Sequence, residues 1–203
     1  MRRRNSGPSP AAVRPSPASR PTAVHSQRAT ITSSPAARFH GVRVDCTTRS
    51  EANFPGAFTS PQNLVVGPLV LIGGAYTDLE TVRRFGGNKF PLLVKAGHVV
   101  TVRLTHRARK IAGLAYGPLP QQRETKLRDT HGTVTFVACR PGRAPRHYRP
   151  NGPSGSHADG TSVTFWSGAV LTTTPACVAL DIYVDHERSP RRAGLALGHR
   201  CGP

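Results

Sequence analysis

Motifs that mark the common hydrolases and metalloenzymes are missing from this chain of 203 residues. It contains no GxSxG elbow, no HExxH and no CxxC, and Ser154 and Ser167, which lie beside glycines, match no nucleophile motif. Acidic residues are also few, ten in all, so paired carboxylates for acid–base catalysis are hard to assemble. The sequence therefore predicts no catalytic residue, no metal ligand and no cofactor, and we expect the protein not to be an enzyme.

Long apolar runs are missing as well. The longest mainly apolar stretch, residues 64–75, is far shorter than the roughly 20 residues of a membrane-spanning helix and is interrupted by glycine and proline. We therefore predict no transmembrane segment. The N-terminus starts with basic residues, but no apolar run of the length found in signal peptides follows. The alternatives are a start further upstream, another export route and a cytosolic protein.

Lysine is scarce, and only four of the 28 Lys and Arg residues are lysine. The formal net charge is nevertheless +18, which favours contact with polyanions through counterion release. Arg, Ala, Gly and Pro all have GC-rich codons, so a high-GC genome explains much of the arginine excess equally well. The charge alone therefore does not separate a selected basic surface from genome composition.

The cysteines number four and lie at the ends of apolar alternating runs: Cys46, Cys139, Cys177 and Cys201. Disulfides between strands are commonly found at such positions, and two of them would indicate an oxidising compartment. Buried free thiols in a cytosolic protein are the alternative. Of the three connectivities, we favour Cys177 with Cys201 and Cys46 with Cys139, and pairing of Cys139 with Cys177 is the main rival.

Period-two alternation is the clearest structural signal, and it is strongest at residues 178–185. After a short turn centred on Arg188, residues 193–198 alternate again, which predicts a hairpin that brings Cys177 close to Cys201. Similar short runs, separated by Gly and Pro, occur at residues 42–46, 64–72, 90–107, 111–116 and 133–139. Eight or so strands at this spacing predict an all-β fold, an antiparallel β-sandwich of immunoglobulin-like general shape.

Three local patterns refine this prediction. Residues 64–72 form either one strand with a bulge at Gly67-Pro68 or two short strands around a corner. Residues 77–84 are predicted to form a single helical turn, with acidic residues ahead of arginines as the helix dipole favours. Lys95-Ala96-Gly97 predicts a turn at which the chain turns over at an edge of the sandwich.

Two segments differ from the rest in composition. Residues 1–38 consist mainly of Arg, Pro, Ser and Ala and have no acidic residue, so we predict a disordered tail. Residues 39–203 are predicted to form a single β-sandwich domain. Within it, residues 140–160 are rich in Gly and Pro and are predicted to be a long loop.

That loop contains the one pattern that favours a particular function. It holds cations around one aromatic ring: Arg140, Arg143, Arg146, His147, Tyr148 and Arg149. Arginines around a stacking ring can bind phosphates, single strands or acidic glycans, and a solvated loop of GC-rich composition is the alternative. We therefore predict a candidate anion-binding site here, with an anionic polymer or surface as partner.

Together these patterns predict a non-catalytic binding or structural module, secreted or in the cell envelope. The first alternative is a cytosolic, basic, nucleic-acid-associated protein that uses the tail and the arginine-rich loop. The second is an enzyme whose site is not recognisable in the sequence. No motif identifies a family.

Overall fold

A computed structural model describes residues 40–117, 125–141 and 156–202 of the chain. The predicted tail and its boundary at Phe39 lie outside these residues. The described residues contain thirteen strands, one α-helix and three short 3-10 turns. The predicted all-β, sandwich-like class is confirmed, with more strands than expected because several are only three residues long.

The strands are β1 (Val42–Val44), β2 (Leu64–Val66), β3 (Leu69–Leu71), β4 (Gly87–Lys89), β5 (Leu92–Lys95), β6 (Val99–Leu104), β7 (Ala112–Ala115), β8 (Thr133–Val137), β9 (Ser156–Ala158), β10 (Thr161–Trp166), β11 (Ala169–Thr172), β12 (Ala176–Val184) and β13 (Arg191–Leu197). The helix, α1, covers Leu79–Phe85. It begins after Asp78, whose side chain accepts a hydrogen bond from the Thr81 amide, and it ends at Gly86 with φ of 64°.

The strands form three sheets. The first has the order β1-β8-β6-β12-β13, the second β2-β3-β5-β10-β9, and the third β4-β11-β7. All neighbours are antiparallel except β1, which runs parallel to β8, with Val44 opposite Phe136. The antiparallel prediction is therefore wrong for this one pair, since no short turn joins β1 to β8 to impose the opposite direction.

One large apolar cluster contains inward side chains from all three sheets. Its aromatic centre is Phe136, whose ring lies 5.2 Å from that of Tyr116 and 5.3 Å from that of Trp166. The Trp166 indole N–H donates to the Asp45 carbonyl at 3.1 Å, and the Tyr116 hydroxyl donates to the Phe90 carbonyl at 2.7 Å. The core therefore satisfies the polar groups of its buried aromatic rings.

The second sheet is covered on both faces. Its outer side chains, among them Val70, Leu93 and Phe165, pack against Phe54 and other residues of the loop before β2. Because both of their faces are buried, β3 and most of β5 read as continuous apolar runs in the sequence. Residues 64–72 are two strands, β2 and β3, joined at Gly67, whose φ is 58°.

A hairpin that the sequence did not predict is part of the same sheet. Residues 156–158 form β9 and pair with β10 through the two-residue turn Asp159-Gly160, with φ of 51° and 75°. This shortens the predicted loop at residues 140–160. The Asp-Gly pair is the usual signature of such a turn. The Asp159 carboxylate also accepts hydrogen bonds from the amides of Gly56 and Phe58 and so holds the covering loop in place.

Both disulfides are present, with the favoured pairing. Cys46 bonds to Cys139 at the ends of the parallel pair, and Cys177 bonds to Cys201 across the last hairpin. The second bridge lies against Gly194, where a Cβ atom would come within 2.6 Å of the Cys201 sulfur. Glycine at this position therefore makes room for the bridge.

Candidate anion-binding site

Only the first residue of the predicted site in the loop can be located. Arg140 is exposed and follows Cys139, whose carbonyl accepts a hydrogen bond from the Gly97 amide at 2.8 Å. The remaining members lie outside the described residues: Arg143, Arg146, His147, Tyr148 and Arg149. Their grouping stays a prediction.

A second set of cations, on the outer face of the first sheet, surrounds an open groove of about 470 Å³. We call it the arginine groove. Its lining comprises Arg103, Leu104, Thr105, His106, Arg109, Asp181 and Arg192. These residues come from β6, from the turn that follows it, from β12 and from β13.

The alternation of the strands explains why these side chains point outward. In β6 the side chains of Val102 and Leu104 enter the core, so Arg103 between them lies on the opposite face. In β12, Leu180 and Ile182 enter the core in the same way and leave Asp181 outside. The register places Asp181 between Arg103 on β6 and Arg192 on β13.

The Arg103 side chain is held in position by two neighbours on the same face. One of its terminal nitrogens lies 2.8 Å from the Asp181 carboxylate and 2.8 Å from the Tyr183 hydroxyl. The hydrogen bond with Asp181 is the main reason that the pKa of Arg103 is raised. Asp181 is itself only 8% exposed, although it lies on the face of β12 opposite Leu180 and Ile182. The Arg103 guanidinium lies against it.

Arg109 is fixed by different partners. It lies in the 3-10 turn after β6, donates through Nε to the Leu104 carbonyl at 3.2 Å and through Nη2 to the Thr133 hydroxyl at 2.9 Å. Gly132 lets it approach the sheet, because a Cβ atom there would lie 3.0 Å from Nε. Arg192 is exposed, and its side chain has no hydrogen bond or ion pair within the described part of the chain.

The described residues that line the groove carry more positive than negative charge. Among them, three arginines face one aspartate, before His106 is counted. Guanidinium groups bind carboxylate, sulfate and phosphate through two parallel hydrogen bonds, and groups already held in place lose less entropy on binding. The arrangement can therefore bind an anionic group at the sheet surface.

Part of this site had a sequence signal that was missed. Residues 103–110 read RLTHRARK, with three arginines, a lysine and a histidine and no acidic residue. The alternation at its start predicts a strand, and the positive charge that follows is the signal that could have located the site. The contribution of Arg192 could not be found in this way, because it depends on the register of β13 with β12.

A second groove, of about 680 Å³, lies where the β2–β3, β5–β6 and β12–β13 turns meet. The Asp185 carboxylate accepts hydrogen bonds from the Val99 amide at 2.9 Å and lies 2.8 Å from His98 Nδ1. Asp185 has φ of 50° and follows β12, so it belongs to the turn after the strand.

This second groove is the weaker candidate. Lys95 and Arg191 contribute positive charge, but Asp185 and Glu187 offset it. The described residues that line it include no serine, threonine or cysteine beside His98 that could act as a nucleophile. Elsewhere among the described residues, no group of three or more His, Cys, Asp or Glu side chains could hold a metal ion.

Comparison of the chain with protein-family models, with curated proteins and with solved structures finds no match. The described residues form a disulfide-bonded, all-β, sandwich-like protein with a basic groove on one sheet. In the part of the chain that the structure covers, no helix is long and apolar enough to cross a bilayer.

Proposed function

We propose that this protein is a non-catalytic binding module of the cell envelope or extracellular space, and that it binds an anionic ligand at the arginine groove. The observation that carries the proposal is the excess of arginine at this groove, with two of the three guanidinium groups held by the sheet. Binding of an anion there would place negative charge beside arginines that outnumber the acidic residues of the described lining.

The proposed location rests on the two disulfides. Bridges of this kind persist in oxidising compartments and are rare in reducing ones. Alkylation of the unreduced, unfolded protein followed by mass spectrometry counts its free thiols. We expect none in protein isolated from its native source, whereas four free thiols would remove the reason for placing the protein outside the cytoplasm.

Anion binding is tested with inorganic sulfate. We expect sulfate to raise the thermal midpoint of unfolding of the full chain more than chloride does at equal ionic strength, because a ligand that binds the folded state stabilises it. The double variant R109Q/R192Q should reduce this difference to the part that comes from general exclusion of sulfate from the protein surface. The control R83Q/K89Q removes two exposed charges from α1 and β4 and should keep it. Equal sulfate effects in both variants would contradict the proposed site.

A further inference from the structure

We infer that the arginine groove takes a linear acidic polysaccharide that lies across the strands of the first sheet. The inference rests on the proposed function and specifies its ligand. It starts from the positions of the three arginines relative to the strand order, which is β8, β6, β12 and β13 at this end of the sheet.

The three arginines lie along one row of paired residues that crosses the strands of the first sheet. Thr133 on β8 pairs with Arg103 on β6, Arg103 pairs with Asp181 on β12, and Asp181 pairs with Arg192 on β13. Arg109 joins the β8 end of this line through its hydrogen bond to Thr133. Three strand spacings make the line about 14 Å long. One small anion cannot reach all three arginines, whereas a chain with repeated charges can.

The groove favours a sugar chain over a single-stranded nucleic acid. Binding of unpaired bases depends on aromatic faces on which they can stack, and the described residues that line the groove include no aromatic ring. The ring nearest in the sheet, Tyr183, is 8% exposed, and the Arg103 guanidinium carbon lies 5.3 Å from its centroid. The guanidinium groups and the Thr105 hydroxyl can instead form hydrogen bonds with the carboxylates, sulfates and hydroxyls of an acidic glycan.

The test compares the full chain, R109Q/R192Q and the control R83Q/K89Q with three probes at physiological salt. The probes are heparin oligosaccharides, oligogalacturonates and a single-stranded DNA of matched charge number. We expect R109Q/R192Q to bind one or both glycans about tenfold more weakly than the parent, and the control within about twofold. Glycans too short to span about 14 Å should bind the parent more weakly than longer ones.

The outcomes separate the two proposals. If R109Q/R192Q matches the control with every probe, both the anion site and its polysaccharide ligand are refuted. If the parent prefers DNA and R109Q/R192Q loses that preference, the anion site stands and the polysaccharide is refuted. Because Arg109 also supports the sheet, R192Q alone serves as a second variant, with an expected loss of about threefold and an unchanged fold.

Discussion

Replacement of Asp181 by asparagine removes the one carboxylate among the described residues that line the arginine groove and preserves the size of the side chain. The variant should change stability and anion binding in opposite directions. Arg103 loses a charge-assisted hydrogen bond of 2.8 Å to a carboxylate whose side chain is 12% exposed. Hydrogen bonds to charged groups contribute about 1.5–3 kcal/mol, and the partial exposure of Arg103 lowers the expected loss to about 1 kcal/mol.

Anion binding should become tighter in D181N. An anion that binds the Arg103 guanidinium beside the carboxylate would lie about 6 Å from it, two hydrogen-bond lengths away. At that distance in water, removal of one negative charge favours the anion by about 0.7 kcal/mol, or about threefold in affinity. Salt weakens this gain, so the measurement belongs at low ionic strength.

Urea unfolding and sulfate titration on the same preparation test the predicted loss of stability and the predicted gain in anion affinity. The control is D159N, which removes a carboxylate from the β9–β10 turn, outside the lining of the groove. It should lower stability without raising sulfate affinity. If D181N binds sulfate more weakly than the parent, Asp181 matters more for orienting Arg103 than for its charge, and our electrostatic description of the groove is wrong.

Three further predictions concern the fold. G194A should lower the unfolding free energy by about 1–3 kcal/mol, since its Cβ would collide with the disulfide, whereas G202A, with no atom within 4 Å, should leave the thermal midpoint unchanged. Y116F should cost about 1–2 kcal/mol in urea unfolding, because the buried Phe90 carbonyl loses its donor, and an unchanged midpoint would refute this role. Asp45 caps the 3-10 turn Cys46–Thr48, and hydrogen bonds from Thr47 lower the pKa of its carboxyl. Its contribution to stability is therefore present above about pH 4 and is lost as pH falls through the lowered value. D45N should flatten the pH dependence of unfolding in this range, and a curve parallel to that of the parent would count against the role of this cap.

The sequence by itself determined the all-β class and favoured the cysteine pairing that the structure has. Alternation of apolar side chains is a property of a single strand, and the hairpin that brings Cys177 to Cys201 closes within a short turn. The bond between Cys46 and Cys139, 93 positions apart, has no local pattern of its own. The Asp159-Gly160 hairpin was equally local and was missed because its strand is short and lies in a segment rich in Gly and Pro.

Only the tertiary structure decided which charges meet. Arg103 and Arg192 are 89 positions apart in the chain and flank Asp181 because three strands share one register, which no local pattern specifies. The parallel pairing of β1 with β8 and the burial of Asp181 beneath an arginine have the same origin. Side-chain periodicity determines which face a residue takes, but the order of strands in a sheet depends on the packing of the whole core, and the arginine groove is a product of that order.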